Sequence, residues 1–97
     1  MHIISRKALT EFAKQHPGAE EVLNDWYRKA KRIGPKDLAE LRQTFASADI
    51  FGDCVVFNVG GNNYRVIAYV HFRGQRLFIR AVLTHAEYDR DRWKRDC

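Results

Sequence analysis

The apolar positions of this chain change period once. Up to about residue 45 they recur at helical spacing, and from residue 54 they alternate as in strands. His2-Ile3-Ile4 is a short strand candidate. Ser5 is placed to cap a following helix with Ala8, Leu9, Phe12 and Ala13 on one face. Pro17-Gly18 breaks that helix. A second helix is predicted from about Ala19 to Ile33, with Val22, Leu23, Trp26, Tyr27, Ala30 and Ile33 as its apolar stripe. Glu20 and Glu21 open it and Lys29, Lys31 and Arg32 close it, the charge order a helix dipole favours. Gly34-Pro35 stops it and allows a restart, since proline fits a first helical turn. Leu38, Leu41 and Phe45 mark one face of a short third helix. CVVFNV, YRVIAYVHF and RLFIRAVLT then read as three strands, rich in β-branched and aromatic residues and bounded by turn residues.

The glycine-rich centre of FNVGGNNYRV, residues 57 to 66, admits two readings: a phosphate cradle or a hairpin turn. A phosphate loop needs a lysine and a following helix, and both are missing. A two-residue turn at Gly61-Asn62 sets Val59 against Tyr64, Phe57 against Val66 and Asn58 against Arg65. A second turn at Gly74-Gln75 sets Tyr69 against Arg80, His71 against Phe78 and Arg73 against Arg76. Alternation then sorts the strands into two faces. One carries Val55, Phe57, Val59, Tyr64, Val66, Ala68, Val70, Phe72, Leu77, Ile79, Ala81 and Leu83, an apolar surface for the helices. The other carries Asn58, Arg65, Ile67, Tyr69, His71, Arg73, Arg76, Phe78, Arg80, Val82 and Thr84. A one-residue slip would scramble both, so agreement among three strands supports the register.

Length and charge narrow the class. Ninety-seven residues make one small α+β domain, residues 1–97, with no linker or repeat to divide it. Seventeen basic against 12 acidic residues give a net charge of +5, which suits nucleic acid, an acidic protein or an anionic surface. No apolar run approaches the roughly 20 residues of a membrane span. The start, MHIISRKALTEF, has no signal-peptide stretch. Cys54 and Cys97 are therefore read as reduced thiols of a cytoplasmic protein rather than a disulfide framework. No pair among His2, His16, His71 and His85, with or without the cysteines, has zinc-ligand spacing, so neither a metal nor a cofactor is expected.

The charge on the second face has one sign. Arg65, Arg73, Arg76 and Arg80 occur with no acidic residue on the same strands, and Tyr69, His71 and Phe78 lie among them. Like charges on adjacent strands repel, and a phosphate backbone would relieve that repulsion. Aromatic rings between basic groups suit unpaired bases. At the end of the last strand, Thr84-His85-Ala86-Glu87 fits a capping box, which starts a helix with His85 and Tyr88 on one face. The same residues also fit a solvated face with Tyr88 packed on the sheet, a non-catalytic RNA-binding module, or a basic surface that docks an acidic partner.

VFNVGGNNYRVIAYV at 56 to 70 and IRAVLTHAEYD at 79 to 89, preceded by DLAELRQTFASAD at 37 to 49, resemble the HigB toxins of bacterial type II toxin–antitoxin modules, within the wider RelE-like group. The resemblance covers nearly the whole chain. It implies a small RelE-like microbial-ribonuclease fold, with N-terminal helices packed on an antiparallel β-meander. It implies an endoribonuclease that cuts mRNA during translation on the ribosome. It also implies a HigA-type helix-turn-helix antitoxin, through which the pair would reach operator DNA. Asn58, Gly60, Gly61, Asn62, Arg65, Arg80, Thr84, His85, Glu87, Tyr88 and Asp89 match the family pattern. Tyr69 and His71 are nominated from strand geometry alone. The expected catalytic set is Arg65 and Arg80 for charge stabilisation, His85 for proton transfer, and Tyr88 as a proton donor or stacking ring. Asn58, Tyr69, His71, Arg73 and Arg76 are the expected RNA contacts.

Overall fold

The computed structural model describes all 97 residues. Its elements run β1 (His2–Ile4), α1 (Arg6–Gln15), α2 (Glu20–Arg32), α3 (Leu38–Thr44), β2 (Asp49–Phe51), β3 (Cys54–Val59), β4 (Tyr64–His71), β5 (Arg76–Thr84) and α4 (His85–Asp89), with 3-10 turns at Pro17–Ala19 and Arg92–Asp96. The sheet order is β1-β5-β4-β3-β2. β3 to β5 form the expected antiparallel meander, β2 extends it by a short strand that the pattern does not predict, and β1 adds a parallel edge beside β5. No helix is long and apolar enough to cross a membrane.

The helices cover one sheet face. Leu9, Leu23, Trp26, Ala30 and Leu41 bury against Val55, Phe57, Val59, Val66, Ala68 and Leu77. The expected helix boundaries hold closely, with two local differences. Ser5 sits at the N-cap of α1 without a side-chain cap bond. The third helix restarts at Leu38 rather than at Pro35, because Asp37 caps it by accepting from the Glu40 amide at 2.9 Å.

The β3–β4 register is the expected one, with Val59 opposite Tyr64, Phe57 opposite Val66 and Asn58 opposite Arg65. Gly60 and Gly61 take the left-handed φ angles of +64° and +67° that close this hairpin. The second hairpin differs. Its turn spans residues 72–75, with Gln75 rather than a glycine in the left-handed region. The Gln75 side chain is tied to the carbonyls of Pro35 (2.8 Å) and Phe72 (2.7 Å). His71 therefore pairs with Arg76 and Tyr69 with Phe78, two residues from the predicted register but with its parity kept.

Parity is then lost within β5. Ala68 faces Ile79 and Ile67 faces Ala81, so Arg80 is an extra, bulged residue. Beyond it the faces exchange: Val82 packs with the helix core, while Ala81 and Leu83 turn to the other side. The sequence pattern assigns these residues the opposite way, because simple alternation cannot count an inserted residue.

Ala81 and Leu83 join a second cluster. Cys54, Val56, Ile67 and Trp93 are buried there, with Tyr88 and Cys97 packed around them. The C-terminal turn thus covers the centre of the second face. It is fastened by a Cys54–Cys97 disulfide across a separation of 43 residues. The reduced-thiol reading is therefore corrected: the 3-10 turn brings Cys97 back to the start of β3, which no local spacing announces. The Asp53 amide donates to the Cys97 carbonyl at 3.0 Å, and a Cβ at Gly52 would run into that carbonyl. Closing a loop of this length stabilises a fold by about 4 kcal/mol through the unfolded chain's lost entropy. Urea unfolding with dithiothreitol should show a lower midpoint than without it, and the Cys97→Ser chain should be insensitive to reductant. Equal midpoints for the native chain in both conditions would contradict a closed bond.

Candidate RNA-cleavage site

The capping box forms as predicted. The Thr84 hydroxyl accepts from the Glu87 amide at 3.2 Å, and the Glu87 carboxylate accepts from the Thr84 amide at 3.0 Å. The His85 amide donates to the Asn63 carbonyl at 3.0 Å, which pins the start of α4 to the glycine-rich hairpin. The hairpin turn, the start of β4 and α4 therefore gather Asn62, Arg65, His85 and Tyr88 at the same end of the sheet.

Arg65 is only 6% exposed. Its guanidinium donates to the carbonyls of Asn62 and Tyr64, each at 3.0 Å, and to Asn62 Oδ1 at 3.3 Å. Its Cζ lies 4.8 Å from the centroid of the Tyr88 ring. No carboxylate pairs with it. On the same ring, Trp93 stacks at 5.2 Å with an interplanar angle of 13°, and Trp93 Nε1 donates to the Tyr88 carbonyl at 3.0 Å. The Tyr88 ring is thus committed to two protein partners, while no protein partner binds its hydroxyl.

His85 is half exposed, and its Nδ1 lies 2.9 Å from Asp89 Oδ2, one helical turn on. A carboxylate at Nδ1 fixes the imidazole's orientation and keeps the Nδ1–H tautomer in the neutral ring. Nε2 is then the acceptor nitrogen, and no protein group binds it.

The other predicted residues divide. Asn58 is exposed opposite Arg65, at the margin of the sheet beyond the reach of β2. There it also lines a surface cavity of about 310 Å³ with Trp26, Lys29 and Phe45, so it is open to the helix side as well. Arg80 shares the second face, but its Cζ lies 5.9 Å from the Tyr69 ring centroid, not with the Arg65–Tyr88 stack. Tyr69 also packs on Phe78 at 6.1 Å. His71 and Arg76 are exposed and paired across β4 and β5. The His71 ring lies over the turn, where a Cβ on Gly74 would meet it, and Arg73 is exposed within that turn. Between the two groups lies the row Val56–Ile67–Ala81, covered by Trp93. The predicted open basic face is therefore two patches with a plug between them.

Asp89 and Trp93 carry parts that pattern reading left unassigned. Asp89 stands four residues after His85, the spacing of a helical pair. Trp93 is the only large apolar residue in the charged tail DRDRWKRDC, itself a sign that something buries it.

Helices on one face of a five-stranded sheet, with basic and titratable side chains gathered at the end of the meander, make this a small α+β protein. A family model described as HigB_toxin, RelE-like toxic component of a toxin-antitoxin system, matches residues 19–91. The chain is 39% identical over 93 residues to the mRNA interferase HigB of Escherichia coli strain CFT073, covering 93% of this chain and 90% of that protein. It is also 39% identical over 92 residues to the mRNA interferase HigB of Shigella flexneri, covering 92% of this chain and 88% of the relative. The chain belongs to the HigB family.

The two arginines should respond differently to conservative change. Arg65→Lys keeps the charge but loses the planar fork and its stack, and should lower stability by about 2 kcal/mol in urea unfolding. Arg80→Lys, on an exposed residue, should stay within about 0.5 kcal/mol of wild type. Equal, negligible losses would show that the Arg65 contacts carry no weight.

Proposed function

We propose that this chain is the toxin of a type II toxin–antitoxin module, and that it cuts mRNA on translating ribosomes by attack of the RNA's own 2′-hydroxyl. A HigA-type antitoxin would neutralise it. The observation that carries the reading is the His85–Asp89 pair at 2.9 Å, beside the Arg65–Tyr88 stack. It sets a proton carrier of fixed orientation next to a phenol and a buried cation that lacks an internal counter-ion.

Because RNA carries its own nucleophile, the protein has three tasks: to align the 2′-oxygen with phosphorus, to stabilise added negative charge, and to move protons. His85 Nε2, left free by the Nδ1 contact with Asp89, takes the 2′-hydroxyl proton. The Tyr88 hydroxyl, held by the ring's contacts with Arg65 and Trp93, donates to the departing 5′-oxygen. Arg65 acts from below: it is too buried to wrap a phosphate, but its uncompensated charge favours the dianionic transition state in a site of reduced dielectric. Arg80 is exposed and holds a phosphate of the same strand. The products are a 2′,3′-cyclic phosphate and a 5′-hydroxyl. Arg65→Lys would separate charge from geometry within this scheme, since it keeps the first and loses the second.

The test is induction of Arg65→Ala, Arg80→Ala, His85→Ala and Tyr88→Phe chains without antitoxin, read by growth and by primer extension on a reporter mRNA. The reporter is used with and without a translated reading frame. Wild type should cut the translated message, His85→Ala should lose roughly 100-fold or more in rate, and Arg80→Ala should weaken RNA binding. Cleavage by all four variants at the wild-type rate would remove the assigned site. Equal cutting of the untranslated message would remove the ribosome requirement.

A further inference from the structure

The second patch has a composition of its own. Tyr69 and Phe78 are half-buried neighbours across β4 and β5, with ring centroids 6.1 Å apart and planes tilted by 47°. The guanidinium of the exposed Arg80 stands over Tyr69 at 5.9 Å. No acidic residue occurs from Tyr64 to Thr84, and none of Arg73, Arg76 and Arg80 belongs to an ion pair. Aromatic faces beside unpaired guanidinium groups match the two components of a single-stranded polynucleotide, a base with a π-face and a phosphate. An acidic peptide would use the charges and leave the aromatic pair without a role.

This patch is separated from the proposed cleavage site. Tyr69 is four residues along β4 from Arg65, or ~13 Å at the usual strand rise. The Trp93 plug covers the row between them. At the cleavage site the Tyr88 ring already packs on the Arg65 guanidinium and the Trp93 indole. Base stacking and bond cleavage would then use different places on one strand of RNA.

We propose that Tyr69 and Phe78 form a stacking subsite for an unpaired base of the mRNA that flanks the scissile bond, with Arg80 on the adjoining phosphate. The inference rests on the cleavage reading given above. It makes sequence preference a property of a flanking nucleotide, set by the fit of that base to the tilted aromatic pair. Both patches lie on the same face of the same two strands, so one RNA chain crossing the sheet meets both. That favours the message over a separate ribosomal RNA segment.

The variants are Tyr69→Leu and Phe78→Leu, which keep an apolar side chain in place, with Tyr69→Trp as the restoring change. Binding of a labelled single-stranded oligoribonucleotide is measured on these changes in the His85→Ala background, and cut positions on a translated reporter are mapped in the active chain. Each leucine change should weaken binding roughly tenfold or more and redistribute the cut positions according to a base beside the scissile bond. Tyr69→Trp should bind as wild type does. Cut positions and binding unchanged in both leucine variants, with wild type still cutting, would remove the subsite and leave the cleavage reading standing. A wild-type chain that neither cuts nor binds RNA would remove both. Unchanged cut positions with lost co-sedimentation on ribosomes would assign the patch to ribosomal RNA and overturn the proposal.

Discussion

The burial of Trp93 on the second face of the sheet is the contact from which the site is built. An indole at 7% exposure in so charged a tail needs an apolar seat, and Val56, Ile67, Ala81 and Leu83 provide one. Its Nε1 bond to the Tyr88 carbonyl and its stack on the Tyr88 ring then fix the end of α4. Tyr88 in turn gives Arg65 a ring to lie on. Remove the seat and the order of the site falls from the bottom: the indole, then the phenol, then the guanidinium. The Cys54–Cys97 bond and the Asp53–Cys97 backbone contact hold the same turn from its far side.

The seat exists because β5 carries one residue more than its partner. Without the bulge at Arg80, Ala81 and Leu83 would point into the helix core and Val82 would stand where Trp93 now packs. The bulge lets one strand serve two cores in succession, with Leu77 and Ile79 toward the helices, then Ala81 and Leu83 toward the tail. It also leaves the extra residue unpaired in the ladder and free to present a long side chain on the open surface. That residue is Arg80. The device that makes the tail's seat therefore also sets the exposed cation beside Tyr69.

Much of this was legible in the sequence, and the misses share a cause. Helix stripes, strand segments, the first hairpin register and the capping box follow from local periodicity and turn chemistry, which pattern reading measures directly. The pattern places the second hairpin turn at Gly74-Gln75, but the turn spans residues 72–75 and is held by the Gln75 side chain on Pro35, 40 positions earlier, with the register shifted by two residues. The bulge, the disulfide and the Trp93 plug are likewise long-range. They depend on what lies across the sheet, and alternation carries no record of it. The capping box, by contrast, is a local signal, so the start of α4 with His85 and Tyr88 one turn apart could be read from the sequence. That Arg65 would be buried and Arg80 set apart from it was not readable, because both are arginines on the same nominal face.

This division of the arginines changes how a basic face should be understood. Four arginines on neighbouring strands suggest a uniform electrostatic surface, in which each contributes the same non-specific attraction. Here burial separates them by role. A guanidinium stacked on a ring and bonded to two carbonyls has given up its freedom to follow a phosphate, and in the proposed scheme it would act by position and field. A solvent-facing one keeps that freedom and would act by contact. The difference comes from the tail: covering the centre of the sheet converts the inner arginine from a surface charge into part of a second core. Net charge describes how the chain attracts a polyanion, and packing on the second face decides what each charge can do once it has arrived.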